Sequence, residues 1–260
     1  MNVLLLSDFS ETSRLMQDYA TILLRDQDVN FKVLHVKKPC GVSSCSGKCD
    51  LIFTKKLSKE VERLRSMKNP NFNFTQEFVE GAYIESIRQI ITREKIDLII
   101  LGNSQSTNRD NEFYLDQKTL DIITKVKCPV LLVPGNSELK SPSNFVLPTD
   151  FSLNFEYRIF DILKNLKAVQ NQSLLLLEMK SDCQLKDYHQ RSKKQIDGII
   201  NDIGFGKIVA CNQNDRDLKI GSEFDFMLIL AKNLSIFNTI FKKKASQYYH
   251  SQLPVLFLHG

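Results

Sequence analysis

The sequence predicts an α/β protein built from two tandem five-stranded parallel sheets with flanking helices, and three observations carry that prediction. Short, wholly apolar runs alternate with amphipathic segments along the chain. The triplet Asp-Phe-Ser follows such a run twice, at Asp8-Phe9-Ser10 and at Asp150-Phe151-Ser152. Each copy also closes on a proline-led apolar run, Cys128-Pro129-Val130-Leu131-Leu132-Val133 in the first and Leu253-Pro254-Val255-Leu256-Phe257-Leu258 in the second. Continuous apolar runs suit parallel strands buried on both faces. Alternation with helices calls for right-handed crossovers.

In the first copy, Val3 to Leu6 is the opening strand. Ser10 and Glu11 suit a helix start, where a hydroxyl and a carboxylate meet free backbone N–H groups. The helix carries Leu15, Met16, Tyr19, Ile22 and Leu23 on one face. Phe31 to Val36 is the second strand, and a cysteine-bearing loop leads to a helix with Leu57, Val61 and Leu64. Asn69-Pro70-Asn71 ends that helix, and Phe72 to Phe78 is the third strand. Gly81 precedes a helix marked by Ile84, Ile87 and Ile91. Asp97 to Gly102 is the fourth strand, followed by the polar loop Asn103 to Glu112, a helix with Leu120 and Ile123, and the fifth strand.

The pattern then restarts. Residues 1–135 form the first predicted domain, the polar, turn-rich stretch 136–143 a linker, and 144–260 the second domain. Phe145 to Ser152 mirrors Leu4 to Ser10, and a helix with Phe155, Ile159, Leu163 and Leu166 follows. Leu174 to Leu177, Ile208 to Ala210, Phe226 to Ala231 and Leu253 to Leu258 are its remaining strands, with a helix over Ile196 to Ile203. The offset between copies is about 142 residues at the triplets and about 125 at the last strands. The second copy is therefore shorter, chiefly between Cys211 and Phe224, where a full third helix hardly fits.

Composition excludes several classes. Net charge is +5, with bases scattered among acids, whereas nucleic-acid binders concentrate positive charge on one face. The one dense run, Lys242-Lys243-Lys244, reads as a solvated helix face. No segment approaches the roughly 18 apolar residues of a membrane span. The N-terminus lacks a basic region and meets Asp8 too early for a signal peptide. A cytoplasmic location with six reduced cysteines is the expectation.

With these landmarks in place, the chain resembles the universal stress protein family over nearly its whole length, in the tandem form common in bacteria. The resemblance rests on Leu5-Leu6-Ser7-Asp8-Phe9-Ser10-Glu11, Leu34-His35-Val36, Val79-Glu80-Gly81, Asp97 to Gly102 and Cys128 to Val133, in that order and at matching spacings. It implies a sheet of order 3-2-1-4-5 in each unit, of the adenine-nucleotide alpha-hydrolase-like kind. It also implies pairing through the last strands, which a tandem chain achieves internally as a pseudo-dimer and which allows a homodimer.

Members that bind ATP use an Asp after the first strand, backbone at the end of the second, and a glycine-rich stretch after the fourth. The resemblance carries these roles onto Asp8 (with Asp150 in the second copy), Val36 and Gly102. Glycines let backbone approach phosphate, and N–H groups at a helix start attract anions. Here that third feature is eroded. Gln105 stands at the second glycine, and Asp116-Gln117 at the final Gly-Ser/Thr pair. A carboxylate there caps the helix itself and repels phosphate, by about 1 kcal/mol at 4 Å in water and about 4 at an effective dielectric of 20. Asp110 and Glu112 add to this, and Arg109 partly offsets it. In the second copy Ala231 replaces the first glycine, Leu234 stands near the second, and Phe241-Lys242 takes the last pair. Loss of ATP binding is the favoured reading, so no cofactor is expected.

Cys40, Cys45 and Cys49 share a Gly/Ser-rich loop beside Lys37, Lys38 and Lys48. Nearby lysines favour thiolates, but structural zinc wants four ligands and no fourth is adjacent. Zinc or thiol sensing is thus an alternative, with Cys183 and His189 in the corresponding region of the second copy. Cys128 and Cys211 read as packing residues on strands. No catalytic constellation or Walker loop appears. The leading expectation is a non-enzymatic stress-response or regulatory protein acting through an unidentified protein partner, with an ATP switch in the first copy as the alternative.

Overall fold

The computed structural model describes residues 1–40, 48–103, 115–152, 156–179, 187–212, 223–233, 236–237, 240 and 253–259. The first half runs β1 (Asn2–Leu6), α1 (Glu11–Leu23), β2 (Val29–Lys37), α2 (Lys48–Arg65), β3 (Phe72–Glu80), α3 (Tyr83–Glu94), β4 (Leu98–Asn103), α4 (Gln117–Lys125) and β5 (Val130–Pro134). The second half runs β6 (Asn144–Thr149), α5 (Asp161–Asn165), β7 (Ser173–Glu178), α6 (Asp187–Asn201), β8 (Lys207–Asn212), β9 (Phe226–Leu230) and β10 (Val255–Leu258).

The strands form one sheet in the order β3-β2-β1-β4-β5-β10-β9-β6-β7-β8. Each half has the predicted order 3-2-1-4-5, and all pairings within a half are parallel. The two sheets do not stand apart, however. β10 pairs antiparallel with β5, with Val255 opposite Leu132 and Phe257 opposite Val130, so ten strands are continuous. The reason is backbone chemistry: each half ends on a strand with a free row of N–H and C=O groups, and each row satisfies the other.

Alternation along the strands sorts side chains into two layers. Val3 and Leu5 of β1 pack with Met16 of α1 and Leu57 of α2. Leu4 and Leu6 turn the other way, toward Ile87 of α3 and Ile122 of α4. Phe145 and Leu147 of β6 belong to the first cluster and Val146 to the second, so each layer spans both halves. A fully buried Leu, Ile or Val contributes about 1.5–3 kcal/mol relative to exposure, which makes these strands the main source of stability.

Helix ends follow local chemistry. Ser10 caps α1, its hydroxyl accepting the Ser13 N–H at 3.1 Å. Asp116 caps α4, its Oδ1 accepting the Thr119 N–H at 2.7 Å. The single helix expected after Ser152 is instead a 3-10 turn over Tyr157–Phe160 followed by the five-residue α5. It stops at Leu166 because the next residue turns to the first half: the Lys167 backbone N–H donates to Gln27 Oε1 at 3.1 Å and its Nζ to the Asp26 carbonyl at 2.6 Å. The expected shortening near the third helix of the second half falls largely on 213–222, outside the described residues. Among the described residues, no helix is long and apolar enough to cross a membrane.

Candidate functional site

The chain leaves β1 toward β2 on one side and reaches β4 on the other. Such a switch point opens a crevice beyond the carboxyl ends of the strands, where open α/β sheets take their ligands. A cavity of about 160 Å³ lies there. Asp8, Val36 and Gly102, contributed by the ends of β1, β2 and β4, all line it, together with Tyr83, Asp116 and Lys118. The structure thus brings together the three residues to which the resemblance carries a nucleotide site, and adds three that stand at the starts of α3 and α4.

Asp8 is held by a turn that the chain makes twice. Phe9 takes a left-handed φ of 67°, and its N–H donates to Ser7 Oγ at 3.2 Å. The Ser10 N–H and hydroxyl both donate to Asp8 Oδ1, at 3.0 and 2.5 Å. In the second half Phe151 has φ 54°, its N–H meets Thr149 Oγ1 at 3.1 Å, and Ser152 donates twice to Asp150 Oδ1, at 3.0 and 2.7 Å. A bulky residue at positive φ costs on the order of 1–3 kcal/mol and persists where neighbours enforce it. Retention of the same strained turn in both halves is the clearest structural trace of duplication.

The two sites differ in access. Asp8 is exposed to the cavity mouth, whereas Asp150 is only 5% exposed. Asn233, just past β9, explains the difference. Its Nδ2 donates to Asp150 Oδ1 at 2.8 Å, while its Oδ1 accepts the Ile236 N–H at 3.1 Å. Burial disfavours ionised Asp150, but hydrogen bonds from Ser152 and Asn233 outweigh it and hold the carboxyl below its usual range. An internal side chain thus covers the carboxylate that matches Asp8 in the second half.

In the first half the cavity wall is charged and aromatic. The His35 ring shares a 2.7 Å hydrogen bond with the Ser7 carbonyl through Nδ1, which therefore carries the proton. Phe9, Phe53 and Phe78 surround that ring, with centroids 4.4, 4.8 and 6.1 Å away. Burial, and then the charges of Asp116 and Asp8, push the Tyr83 phenol up to about 12. Lys118 Nζ lies 5.8 Å from the centre of the Tyr83 ring. Asp116 occupies one free N–H at the start of α4, that of Thr119.

Gly102 has a packing role of its own. A Cβ there would lie 2.8 Å from Thr12 Cγ2 and 3.0 Å from the Thr12 carbonyl oxygen. Gly135 approaches the same residue, with a Cβ placed 2.8 Å from Thr12 Oγ1. The two glycines let the first turn of α1 lie close against β4 and the end of β5.

The cysteines give a sparser picture. Cys40 is half-buried beside Lys37, whose ammonium is held above its ordinary range by Glu80 first and Cys40 second. Cys49 is half-buried at the start of α2, and Cys45 lies outside the described residues. Among the described residues no group of three or more His, Cys, Asp or Glu is placed to hold a metal. Of the second-half residues, Cys183 is outside the described residues. Cys128 is buried as expected, its thiol 3.6 Å from the Ile96 carbonyl.

Tyr83, Lys118, Thr12 and Asn233 were not signalled by sequence reasoning. Asn233 carried a readable cue, an Asn three residues before the helical Ile236, as at a helix N-cap. The others are set by tertiary contacts.

An open, doubly wound sheet with a crevice at its switch point defines a nucleotide-binding-like α/β fold. The chain belongs to the universal stress protein family, whose model matches residues 1–134. A universal stress protein from Archaeoglobus fulgidus DSM 4304 superposes with a TM-score of 0.67 at 15% identity, covering 99% of this chain and 98% of that one. A putative universal stress protein from Pseudomonas aeruginosa UCBPP-PA14 gives 0.55 at 12% identity, covering 99% and 92%. Both likenesses extend over the two halves. No curated protein matches in sequence.

Proposed function

We propose that this chain is a non-enzymatic universal stress protein with a regulatory role in stress response, whose nucleotide sites no longer take a nucleoside triphosphate. The observation that carries the reading is Asp116. It lines the first cavity, its Oδ1 fills the start of α4 at 2.7 Å, and its charge opposes a phosphate approaching the same N–H groups. Asn233 on Asp150 supports the same reading for the second half. The antiparallel β5–β10 seam supports an internal pseudo-dimer. Activity would then reside in contacts with a protein partner.

Calorimetric titration with MgATP tests this. The expected result is no heat of binding at micromolar protein and ligand. Low-micromolar or tighter affinity overturns the proposal and favours a second reading, an ATP-responsive switch in the first half. The sharing of one cavity by Asp8, Val36 and Gly102 is the observation that favours that alternative.

A further inference from the structure

We infer that the groove between α1 and α2 is a docking site for a short acidic segment of a partner protein, one that carries carboxylates beside an apolar side chain. The inference rests on the reading that activity resides in protein contacts, and it names the chemistry of the partner. The groove has a volume of about 300 Å³ and is walled by Phe9, Glu11 and Arg14 on the α1 side and by Lys59, Glu60 and Arg63 of α2. It shares no lining residue with the switch-point cavity.

The groove holds more free positive charge than negative. Arg14 and Lys59 are exposed and form no ion pair among the described residues. Arg63 pairs with Asp18 through Nη1 and donates to Gln17 Oε1 through Nη2 at 2.7 Å. A guanidinium has five N–H donors, so Arg63 keeps some to spare. Of the two acids, Glu60 already accepts from Gln17 Nε2 at 3.0 Å. Gln17 is wholly buried and bonds both Glu60 and Arg63, so the α2 wall is fixed before any guest arrives.

The duplicated turn supplies an independent observation. Phe9 and Phe151 hold the same strained position, but Phe151 is 1% exposed while Phe9 is half-buried and lines the groove. A lysine lies over each ring, Lys56 at 5.3 Å from the Phe9 centroid and Lys193 at 5.3 Å from that of Phe151. Lys193 is spent on Glu178 at 2.8 Å, whereas Lys56 is exposed and meets no carboxylate among the described residues. The first half thus keeps an aromatic ring and an unpaired cation open together. Along α2, Ile52, Lys56, Lys59 and Arg63 fall at i, i+4, i+7 and i+11, one stripe of the helix, and Ile52 is 55% exposed. At 1.5 Å per residue the stripe is about 17 Å long, the span of about five extended residues. A peptide with an apolar side chain against Ile52 or Phe9 and carboxylates on the neighbouring cations fits it. A phosphate chain needs an unbroken line of cations, and Glu11 and Glu60 interrupt this one.

The test titrates a fluorescein-labelled peptide, Glu-Glu-Leu-Glu-Glu-Phe-Glu, with the intact protein and reads fluorescence anisotropy. Saturable binding in the micromolar range is expected, weakened by added sodium chloride and lost when Gln replaces every Glu of the peptide. Arg14→Ala, Lys59→Ala and Ile52→Ser should each weaken affinity about three- to fivefold, and Arg14→Ala with Lys59→Ala about tenfold or more. These side chains are exposed, and thermal melts confirm that the variants stay folded. Lys207→Ala removes the same charge from β8, the edge strand at the far end of the sheet, and should leave affinity unchanged. Absence of binding at about 100 μM protein overturns the inference. So does an effect of Lys207→Ala as large as that of Arg14→Ala, or tighter binding of a single-stranded oligonucleotide. A MgATP titration reports on the switch-point cavity alone, so the two readings fail separately.

Discussion

Replacing Gly102 by Ala isolates the reason a glycine ends β4. The added Cβ would sit 2.8 Å from Thr12 Cγ2 and 3.0 Å from the Thr12 carbonyl oxygen, both well inside van der Waals contact. Overpacking of this kind costs about 1–3 kcal/mol. Removing a glycine from a strand returns about 0.5–1 kcal/mol of backbone entropy. A net loss of about 1–2 kcal/mol follows, which shifts a urea midpoint by about 0.5 M at a slope near 3 kcal/mol/M. The companion variant Gly135→Ala meets only the Thr12 side chain, with Oγ1 at 2.8 Å and the next atom at 3.4 Å. Thr12→Ala should therefore rescue Gly135→Ala almost fully and Gly102→Ala only in part, because the backbone oxygen stays. Urea denaturation of the three single and two double variants measures all of this. If Gly102→Ala is neutral, or if Thr12→Ala restores it completely, helix packing does not explain the glycine.

Two further outcomes are expected. Burial works against ionised Asp225, but Lys140 at 2.8 Å and the Ser143 and Asn144 donors overcome it and set its pKa at about 2, below an ordinary 3.8. A folded pKa below the unfolded one stabilises at neutral pH, by about 2 kcal/mol here, and that contribution fades as pH falls from about 4 toward 2. Asp225→Asn should lose it at pH 7 and flatten the acid limb in urea titrations from pH 7 to pH 2. Cys128, pushed up to about 12 by burial and then by Asp97, should resist alkylation in the native protein and react only on unfolding. Mass spectrometry of the labelled peptide reads this directly, and rapid native labelling would contradict the burial.

Much of the scaffold was legible in the sequence because apolar runs such as Leu98 to Leu101 and Phe226 to Leu230 leave strands few alternatives. The duplicated Asp-Phe-Ser turn was legible too, since its side chains write their own hydrogen bonds into the local sequence. Asp116 as a helix cap followed from its place at the final Gly-Ser/Thr pair of the family pattern, where a helix starts. The union of the two sheets was implied only by the family resemblance, as pairing through the last strands, and not by the residues themselves. Backbone pairing between Leu132 and Val255 leaves no side-chain signature, and both strands read as buried either way. The cover that Asn233 places over Asp150 was equally hidden, because it joins residues 83 positions apart. The short α5 reflects a contact with Gln27 in the other half, which no helical period records.

The β5–β10 seam also sets an order of events during synthesis. β5 emerges from the ribosome well over a hundred residues before the strand that completes its ladder. Through that interval the N–H and C=O groups along the outer edge of β5 have no strand of this chain to pair with. Arrival of β10 closes that edge and commits both halves to one body.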